Sequence, residues 1–252
     1  MSTRKVAIVT GSGKRRVGSA VAEALAAKGY AIVVHYRSSA AEAAELVETL
    51  HARGVEAITV QADLTDERSV HTLVEKTLTH FGLVDVLVNC AAVWQSKKLE
   101  DVTASDVRHY FETNTLGTFL CSQRAGLAMV RQPEGGCIIT IGDWAVVRPY
   151  TNYAAYFPSK GAIPTLTRTL AVELGSRNPN VRVNCILPGP VMLPPDLPEA
   201  ERAAAIGATL VKREGRPEHV AHAALFLVEN DFVTGVCLPV DGGRTIYAPD
   251  SV

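Results

Sequence analysis

Short apolar runs alternate along the chain with longer segments in which apolar residues recur at helical spacing. Residues 6–9, for example, are apolar throughout, which is typical of a strand buried on both faces of a parallel sheet. Residues 40–53 instead place Leu46, Val47 and Leu50 on one helical face. The predicted strands cover residues 6–9, 31–35, 56–61, 84–89, 137–141, 181–187 and 236–240. The predicted helices cover 17–28, 40–53, a segment capped at 65–66 and ending near 81, 104–130, 155–174 and 217–228.

This alternation predicts an α/β protein of the Rossmann type, with a doubly wound, mostly parallel, seven-stranded sheet and helices on both faces. No linker or repeat divides the chain, so we interpret residues 1–252 as one domain. Residues 188–198 contain five prolines. This segment is too short to join two domains, and it predicts a mobile loop over a site, at about residues 189–212.

The composition excludes several classes of partner. The 252 residues carry a net charge of −1, which argues against nucleic acid or an anionic membrane held by overall charge. No apolar run approaches the ~20 residues of a membrane span. Five widely spaced cysteines without a CxxC pair or a nearby histidine predict neither a metal site nor a disulfide framework. The first residues show no secretion signal, and we expect a cytoplasmic protein.

A glycine-rich turn follows the first predicted strand, at residues 10–18. Glycines at such a turn let the backbone approach a pyrophosphate, and the next helix offers free amides there. A tight turn with no ligand is the alternative interpretation. The pattern is not that of an ATP-binding loop, because Gly18 is followed by Ser19 rather than lysine. The predicted contacts of this turn with a cofactor are Gly11, Arg15, Arg16, Val17 and Gly18.

The end of the second predicted strand indicates which cofactor would bind. An NAD site has an acidic residue near this point to accept from the ribose 2′-hydroxyl, and none is present. Tyr36, Arg37, Ser38 and Ser39 stand there instead, facing the basic turn. Cationic and hydroxyl donors suit a 2′-phosphate, so the sequence favours NADPH/NADP+. A solvated basic surface is the alternative.

Tyr156 and Lys160 lie four residues apart in a predicted helix and therefore share one face. A tyrosine hydroxyl has a pKa of ~10 and transfers protons poorly near neutral pH. A neighbouring ammonium favours the phenolate, so we expect Lys160 to lower the pKa of Tyr156. The pair predicts a site of proton transfer.

Over nearly its whole length the sequence resembles the short-chain dehydrogenase/reductase family. The resemblance is carried by the glycine turn, Tyr156, Lys160 and motifs that follow the predicted strands: Asp63-Leu64, Asn89-Cys90-Ala91-Ala92, Pro188-Gly189 and Asp241-Gly242-Gly243. It implies adenine contacts for Asp63 and Leu64, a water-holding role in proton relay for Asn114, and a ribose contact for Lys160. It also implies that the cofactor is lined by Asn89, Ala91, Pro188, Gly189 and Val191.

Asp143 departs from the family pattern, which usually has serine at this position. An ionised carboxylate only accepts hydrogen bonds, and unit charges 4 Å apart repel by ~4 kcal/mol at an effective dielectric of 20. Asp143 would therefore oppose a developing alkoxide and favour a nitrogen that becomes protonated. The alternative is an Asp143 that is protonated or turned away.

The aspartate also resembles the pteridine reductase branch, as do the basic first turn and His35-Tyr36. In that branch an aromatic residue at the position of Trp94 stacks on a flat heterocycle, and we assign Trp94 and Tyr153 to the substrate. Ordinary packing is the alternative for Trp94.

Three functional hypotheses follow. The first is an NADPH-dependent reductase of a small planar heterocycle such as a pterin, and the second is a carbonyl reductase or dehydrogenase for 3-oxoacyl groups, sugars or steroids. The third, a non-enzymatic NADP(H) sensor, has no need of Tyr156, Lys160 and Asn114. The resemblance implies a homotetramer in which the helices at residues 104–130 and 155–174 pair with copies of themselves.

Overall fold

A computed structural model describes residues 4–247. Residues 1–3 and 248–252, which the single-domain interpretation included, lie outside the described residues. Within residues 4–247, no helix has both the length and the apolar character that crossing a membrane requires.

The fold is built on one sheet of seven parallel strands in the order β3-β2-β1-β4-β5-β6-β7, which confirms the predicted Rossmann-type architecture. The chain winds outward from β1 to β3 and then returns to pair β4 with the other side of β1. The strands are β1 Val6–Thr10, β2 Ala31–Tyr36, β3 Ala57–Gln61, β4 Val86–Asn89, β5 Gly136–Ile141, β6 Val181–Pro188 and β7 Cys237–Val240. Ligands of such sheets bind at the switch point, the place between the ends of β1 and β4 where the strand order reverses.

Helices cover both faces of the sheet because alternate strand residues point to opposite sides. Val9 belongs to the core on one face and Ile8 to the core on the other, and both are fully buried. The helices are α1 Val17–Ala27, α2 Ala40–Ala52, α3 Glu67–Phe81, α4 Ala104–Tyr110, α5 Gly117–Val130, α6 Tyr156–Gly175, α7 Glu199–Gly207 and α8 Pro217–Glu229.

The predicted continuous helix over residues 104–130 is interrupted. Phe111–Leu116 form a π-helical turn between α4 and α5. Asn114 lies in this turn, where its side chain exchanges two hydrogen bonds with the backbone of Val93 at 2.9 and 3.0 Å. Such turns often occur at functional sites, and this one brings Asn114 against the loop after β4.

The loop predicted at about residues 189–212 is helical over part of its length. Helix α7 occupies Glu199–Gly207, within the predicted loop of residues 189–212. Its acidic first turn, with Glu199 and Glu201, favours the helix because negative charge there complements the helix dipole. The mobility of the whole segment stays a prediction.

His35 connects three parts of the fold. Its Nδ1 accepts a hydrogen bond of 2.9 Å from the amide of Gly11, so its Nε2 carries the proton and donates to the carbonyl of Ala62 at 3.1 Å. The ring is buried, and burial lowers its pKa from 6.5 to about 4. The neutral ring thereby ties the end of β2 to the turn after β1 and the loop after β3.

This burial predicts that acid destabilises the fold through His35. Because the folded pKa lies below the unfolded one, the unfolded chain binds the proton more readily as the pH falls from 6.5 towards 4. We expect the His35 contribution to the free energy of unfolding to fall by roughly 2 kcal/mol between about pH 7 and pH 5. Urea unfolding of the wild type and His35→Gln at both pH values measures it.

His51→Gln is the matched control, because His51 also bonds a backbone carbonyl, that of Ala57, but lies on the surface of α2. It should keep the pH dependence of the wild type. Equal pH dependence in His35→Gln and the wild type would contradict the prediction.

Candidate active site

The glycine turn lies against the loop that follows β4. Gly11 has a φ of +64°, and a Cβ there would stand 2.8 Å from the Cα of Ala91. A Cβ on Gly18 would stand 2.8 Å from the carbonyl oxygen of Gly11. Both positions therefore require glycine, and Ala91 closes the turn by donating its amide to Thr10 Oγ1 at 3.1 Å.

The start of α1 leaves backbone donors at this turn. Arg16 occupies the N-cap position, and its guanidinium cannot accept from the amides of the first helical turn, where Val17 and Gly18 lie. The first turn contains no acidic residue. The dipole of an uncapped helix start favours an anion, and the side chains of Arg15 and Arg16 are exposed beside it.

The end of β2 lies next to the same turn. The amide of Gly13 donates to the carbonyl of His35 at 3.3 Å, and a Cβ on Gly13 would meet Tyr36 and Ser39 within 3.0 Å. Arg37 and Ser38 are exposed, whereas Ser39 is buried at the start of α2 without capping it.

The motif after β3 faces Arg37. Asp63 Oδ1 accepts from the amide and the hydroxyl of Thr65 at 3.0 and 2.8 Å, and these bonds, with a smaller contribution from Arg37, lower the pKa of Asp63. Leu64 is buried, and Gly117 at the start of α5 leaves room for its backbone. The adenine contacts assigned to this motif stay a prediction.

On the other side of the switch point, Pro188-Gly189 packs on Asp241. A Cβ on Gly189 would stand 2.5 Å from the Cα of Asp241. The close packing of these two motifs therefore depends on glycine at position 189. Val191, assigned to the cofactor, is buried and packs against Gly215. Its side chain therefore belongs to the core.

These features fit a dinucleotide. The two glycines give backbone access, the uncapped start of α1 offers amides to a pyrophosphate, and Arg37 and Ser38 stand free for the adenosine end. Nearby, the side-chain amide of Asn89 donates to Ser122 at 3.0 Å, while its buried oxygen has no hydrogen-bond partner among the described residues.

The predicted proton-transfer residues meet at the end of β5. The Tyr156 hydroxyl donates to Asp143 Oδ2 at 2.9 Å, and Asp143 Oδ1 accepts from the amide of Ala145 at 2.8 Å. Asp143 therefore faces the tyrosine. This excludes the alternative in which the Asp143 side chain is turned away.

The expected lowering of the Tyr156 pKa is wrong for this structure. Burial, and then the charge and hydrogen bond of Asp143, raise the pKa of Tyr156 well above its ordinary value. The Lys160 ammonium donates a hydrogen bond of 2.8 Å to the carbonyl of Ile141, and burial lowers the pKa of Lys160. Burial likewise raises the pKa of Asp143, against the opposing effects of Ala145, Tyr156 and Lys160. Tyr156 is thus held as a neutral phenol, able to give a proton.

Asn114 is fixed from three sides. Besides its two bonds with Val93, its amide donates to Ser159 Oγ at 3.1 Å, and its backbone carbonyl accepts from Thr118 at 2.7 Å. Ser159 in turn donates to the carbonyl of Tyr156 at 2.7 Å. Asn114 therefore joins the π-helical turn to the start of α6, and its assigned water-holding role stays a prediction.

Aromatic rings pack around the ring of Tyr156. Tyr153 stacks on Trp94 with centroids 6.1 Å apart, and it meets Tyr156 edge-on at 6.1 Å. Trp94 is 44% exposed, so its ring remains available to stack on a flat molecule. Of the two residues predicted to contact substrate, Tyr153 therefore lies against Tyr156, and Trp94 lies against Tyr153.

Sequence reasoning missed several neighbours of this site. Tyr110 meets Tyr156 edge-on at 6.0 Å, and Tyr150 stacks on Trp144, the residue after Asp143. The guanidinium of Arg244 lies over the Trp144 ring at 4.6 Å. The spacing of Tyr150 and Tyr153 before Tyr156 could have indicated an aromatic cluster, but nothing in the sequence links Arg244 to it.

A switch-point turn suited to a dinucleotide, next to a buried proton donor, defines an oxidoreductase site. Residues 12–245 match the enoyl-(acyl carrier protein) reductase family. The chain belongs to the short-chain dehydrogenase/reductase family, whose members are oxidoreductases that bind a nicotinamide cofactor. A sensor without enzymatic activity is therefore not the supported hypothesis.

The relatives match over nearly their full length. Glucose 1-dehydrogenase 2 of Bacillus subtilis is 34% identical, covering 97% of this chain and 96% of the relative. The 3-oxoacyl-(acyl-carrier-protein) reductase of Synechocystis is 35% identical, covering 97% and 98%. A blue fluorescent protein from a metagenomic library, solved in complex with NADPH, has a TM-score of 0.87 and 34% identity, covering 95% and 97%.

The position of Tyr156 predicts that Tyr156→Phe reduces turnover by about 10²- to 10⁴-fold, because it removes the proton donor and keeps the ring. Binding of the reduced cofactor, measured by fluorescence titration, should change little. The matched control is Tyr110→Phe, since the Tyr110 hydroxyl donates to the carbonyl of Gln95 at 3.1 Å. A Tyr156→Phe enzyme with near-normal turnover would show that another group supplies the proton.

Proposed function

We propose that this protein is an NADPH-dependent reductase of carbonyl groups on small molecules. The observation that carries the proposal is the Tyr156 hydroxyl, a buried neutral phenol at the end of β5 with a fixed partner in Asp143. A neutral phenol is poised to give a proton to a developing alkoxide. The names of the two enzyme relatives, a glucose dehydrogenase and a 3-oxoacyl reductase, support carbonyl chemistry over pterin reduction.

The residues of this chain would handle the proton while the bound nicotinamide supplies the hydride. Tyr156 gives its proton to the substrate oxygen. The buried Lys160 ammonium, held by Ile141, is close enough to Asp143 to lower the pKa of that carboxyl, and its positive charge would stabilise the phenolate that results. Asp143 would have to be protonated to donate to the same oxygen, and burial, which raises its pKa, favours that form.

The preference for NADPH rests on charge at the end of β2. Arg37 and Ser38 are exposed there, Lys14, Arg15 and Arg16 are exposed in the facing turn, and β2 ends without a carboxylate. Arg15 is 3.6 Å from Glu45, but both side chains are largely exposed, so this pair competes weakly with a phosphate.

We expect Arg37→Asp to reverse the preference, because it removes a phosphate partner and adds an acceptor for a ribose hydroxyl. The affinity for NADPH should fall about tenfold or more, which corresponds to ~1.4 kcal/mol. Fluorescence titration with NADPH and NADH measures both affinities.

Arg53→Asp, on the far end of α2 and paired with Glu23, makes the same charge change away from the site. It should leave the ratio of affinities unchanged. Equal binding of NADPH and NADH by the wild type would contradict the proposal.

Reduction of a planar C=N heterocycle, such as a pterin, is the second candidate. It is favoured by the Asp143 carboxyl facing the proton donor and by the exposed Trp94 beside Tyr153. An ionised Asp143 would stabilise a nitrogen that becomes protonated, whereas it would oppose an alkoxide.

Replacing Asp143 separates the two candidates. For carbonyl reduction, Asp143→Ser should keep or raise kcat/KM, because a hydroxyl donates at every pH. Wild-type carbonyl activity should fall as the pH rises through the raised pKa of Asp143. In Asp143→Ser this fall in activity with rising pH should be absent. For a C=N substrate, Asp143→Ser should lower the rate about tenfold. Loss of NADPH absorbance with panels of ketones and dihydropterins measures both.

Asp143→Asn is the control for shape, since it keeps the size of the side chain without its charge. Turnover of dihydropterins but not of ketones by the wild type would refute the carbonyl proposal. Equal loss of both activities in Asp143→Ser would make Asp143 a positioning residue for Tyr156.

We also propose that the protein is cytoplasmic and, as the family resemblance implies, a homotetramer. Exposed apolar side chains on the helices predicted to pair support it: Val107, Phe111, Leu116 and, at 72% exposure, Val172 of α6. Light scattering at micromolar concentration should give four times the mass of the chain. A monomer would refute the assembly without affecting the proposed reaction.

A further inference from the structure

Two cysteines face each other across neighbouring strands. Cys185 of β6 and Cys237 of β7 are register partners in the parallel pair. Register partners in a sheet point to the same face, and neighbouring strands lie about 4.8 Å apart. That separation falls within the roughly 4.4–6.8 Å between Cα atoms that a disulfide spans.

The two thiols differ in their surroundings. Cys185 is fully buried under α6, packed with Ile163, whereas Cys237 is partly exposed on the edge strand. The Cys185 thiol donates a hydrogen bond to the carbonyl of Ile186 at 3.5 Å. The neighbouring Cys185 thiol and then the charge of Arg168 lower the pKa of Cys237. The presence of Cys237 and burial raise the pKa of Cys185.

The buried member of the pair lies directly behind the catalytic residues. Its sulfur is 3.3 Å from where a Cβ on Gly142 would stand, and the Gly142 amide donates to the Ile186 carbonyl at 2.9 Å. Gly142 immediately precedes Asp143 in the chain. Cys185 is also close enough to Lys160 to influence the pKa of that ammonium.

We propose that Cys185 and Cys237 form a redox pair that hydroperoxides convert into a disulfide, and that this disulfide lowers turnover at the site of Tyr156 and Asp143. The partly exposed Cys237 thiol reacts with the peroxide first, and the buried Cys185 thiol then forms the disulfide with the oxidised Cys237. A disulfide joins its sulfurs at about 2.05 Å, closer than two unbonded sulfurs approach. Its formation therefore draws Cys185 away from Gly142 and changes its position relative to Lys160.

The chemistry is that of a peroxide and two thiols. The Cys237 thiolate attacks one peroxide oxygen, the O–O bond breaks, and the departing hydroxide takes a proton to become water. The Cys185 sulfur then attacks the sulfenic acid on Cys237, which forms the S–S bond and breaks the S–O bond. The second hydroxide leaves with the proton of Cys185 as water. Overall, two thiols and one hydrogen peroxide give one disulfide and two waters.

The remaining cysteines lack these features. Cys121 and Cys137 are buried, and burial raises the pKa of the former to about 12 and of the latter to about 11. Cys90 is near Lys160, but burial raises its pKa to about 12 as well. A thiol in this state reacts slowly with peroxide, since the thiolate is the nucleophile.

The experiment treats the full-length enzyme with hydrogen peroxide and maps its cysteines by mass spectrometry without reduction. We expect a peptide pair joined through Cys185 and Cys237, with two hydrogen atoms lost. Ketone reduction should fall about tenfold, since small displacements of catalytic groups are costly, and dithiothreitol should restore it. The peptide map needs no substrate, so it separates failure of this proposal from failure of the proposed reaction.

Cys237→Ser should form no disulfide and keep its activity after peroxide, and Cys237→Ala guards against an effect of the new hydroxyl. Cys121→Ser is the control for loss of a thiol and should respond like the wild type. Three results would overturn the proposal: no Cys185–Cys237 peptide, a disulfide that leaves turnover unchanged, or loss of activity that persists in both Cys237 variants. The last would point to another thiol, such as Cys90.

Discussion

The close approach of two backbones at the switch point is the constraint on which the site depends. Gly11 and Ala91 come so near that a single Cβ between them would overlap the Ala91 backbone. This contact joins the end of β1 to the loop after β4, and Asn114 extends it by bonding Val93 in the same loop. Contacts with this loop therefore position the glycine turn and the π-helical turn relative to each other.

The electrostatics of the reacting groups follow from their burial. Asp143, Tyr156 and Lys160 share a small volume in which each charged form is costly, so their pKa values are coupled. With its proton in place, the phenol donates a hydrogen bond to the Asp143 carboxyl. In the proposed reaction a bound substrate would compete for this hydrogen bond, so that proton donation and substrate binding would be parts of one equilibrium.

Packing also connects the proposed redox pair to the candidate site. Strand β6 carries Cys185 on the face covered by α6, and the first turns of α6 carry Tyr156 and Lys160. Because interiors are close-packed, a change at one side chain is passed to its neighbours rather than absorbed by empty space. Cys185 lies close to Gly142, next to Asp143, and the edge position of β7 leaves Cys237 partly exposed to solvent.

The sequence by itself determined the parallel sheet and the order of its elements, and it nominated the candidate site residues, because apolar periodicity and motifs such as the turn at Gly11 are local properties. The tertiary structure decided what depends on contacts between distant segments. It broke the helix at residues 111–116 through the bonds of Asn114 to Val93, and it placed α7 where the prolines had predicted a loop. It also reversed the expected direction of the Tyr156 pKa shift. Four-residue spacing brings Lys160 to the same helical face, but burial and the Asp143 carboxyl, which only folding brings to the phenol, outweigh that proximity.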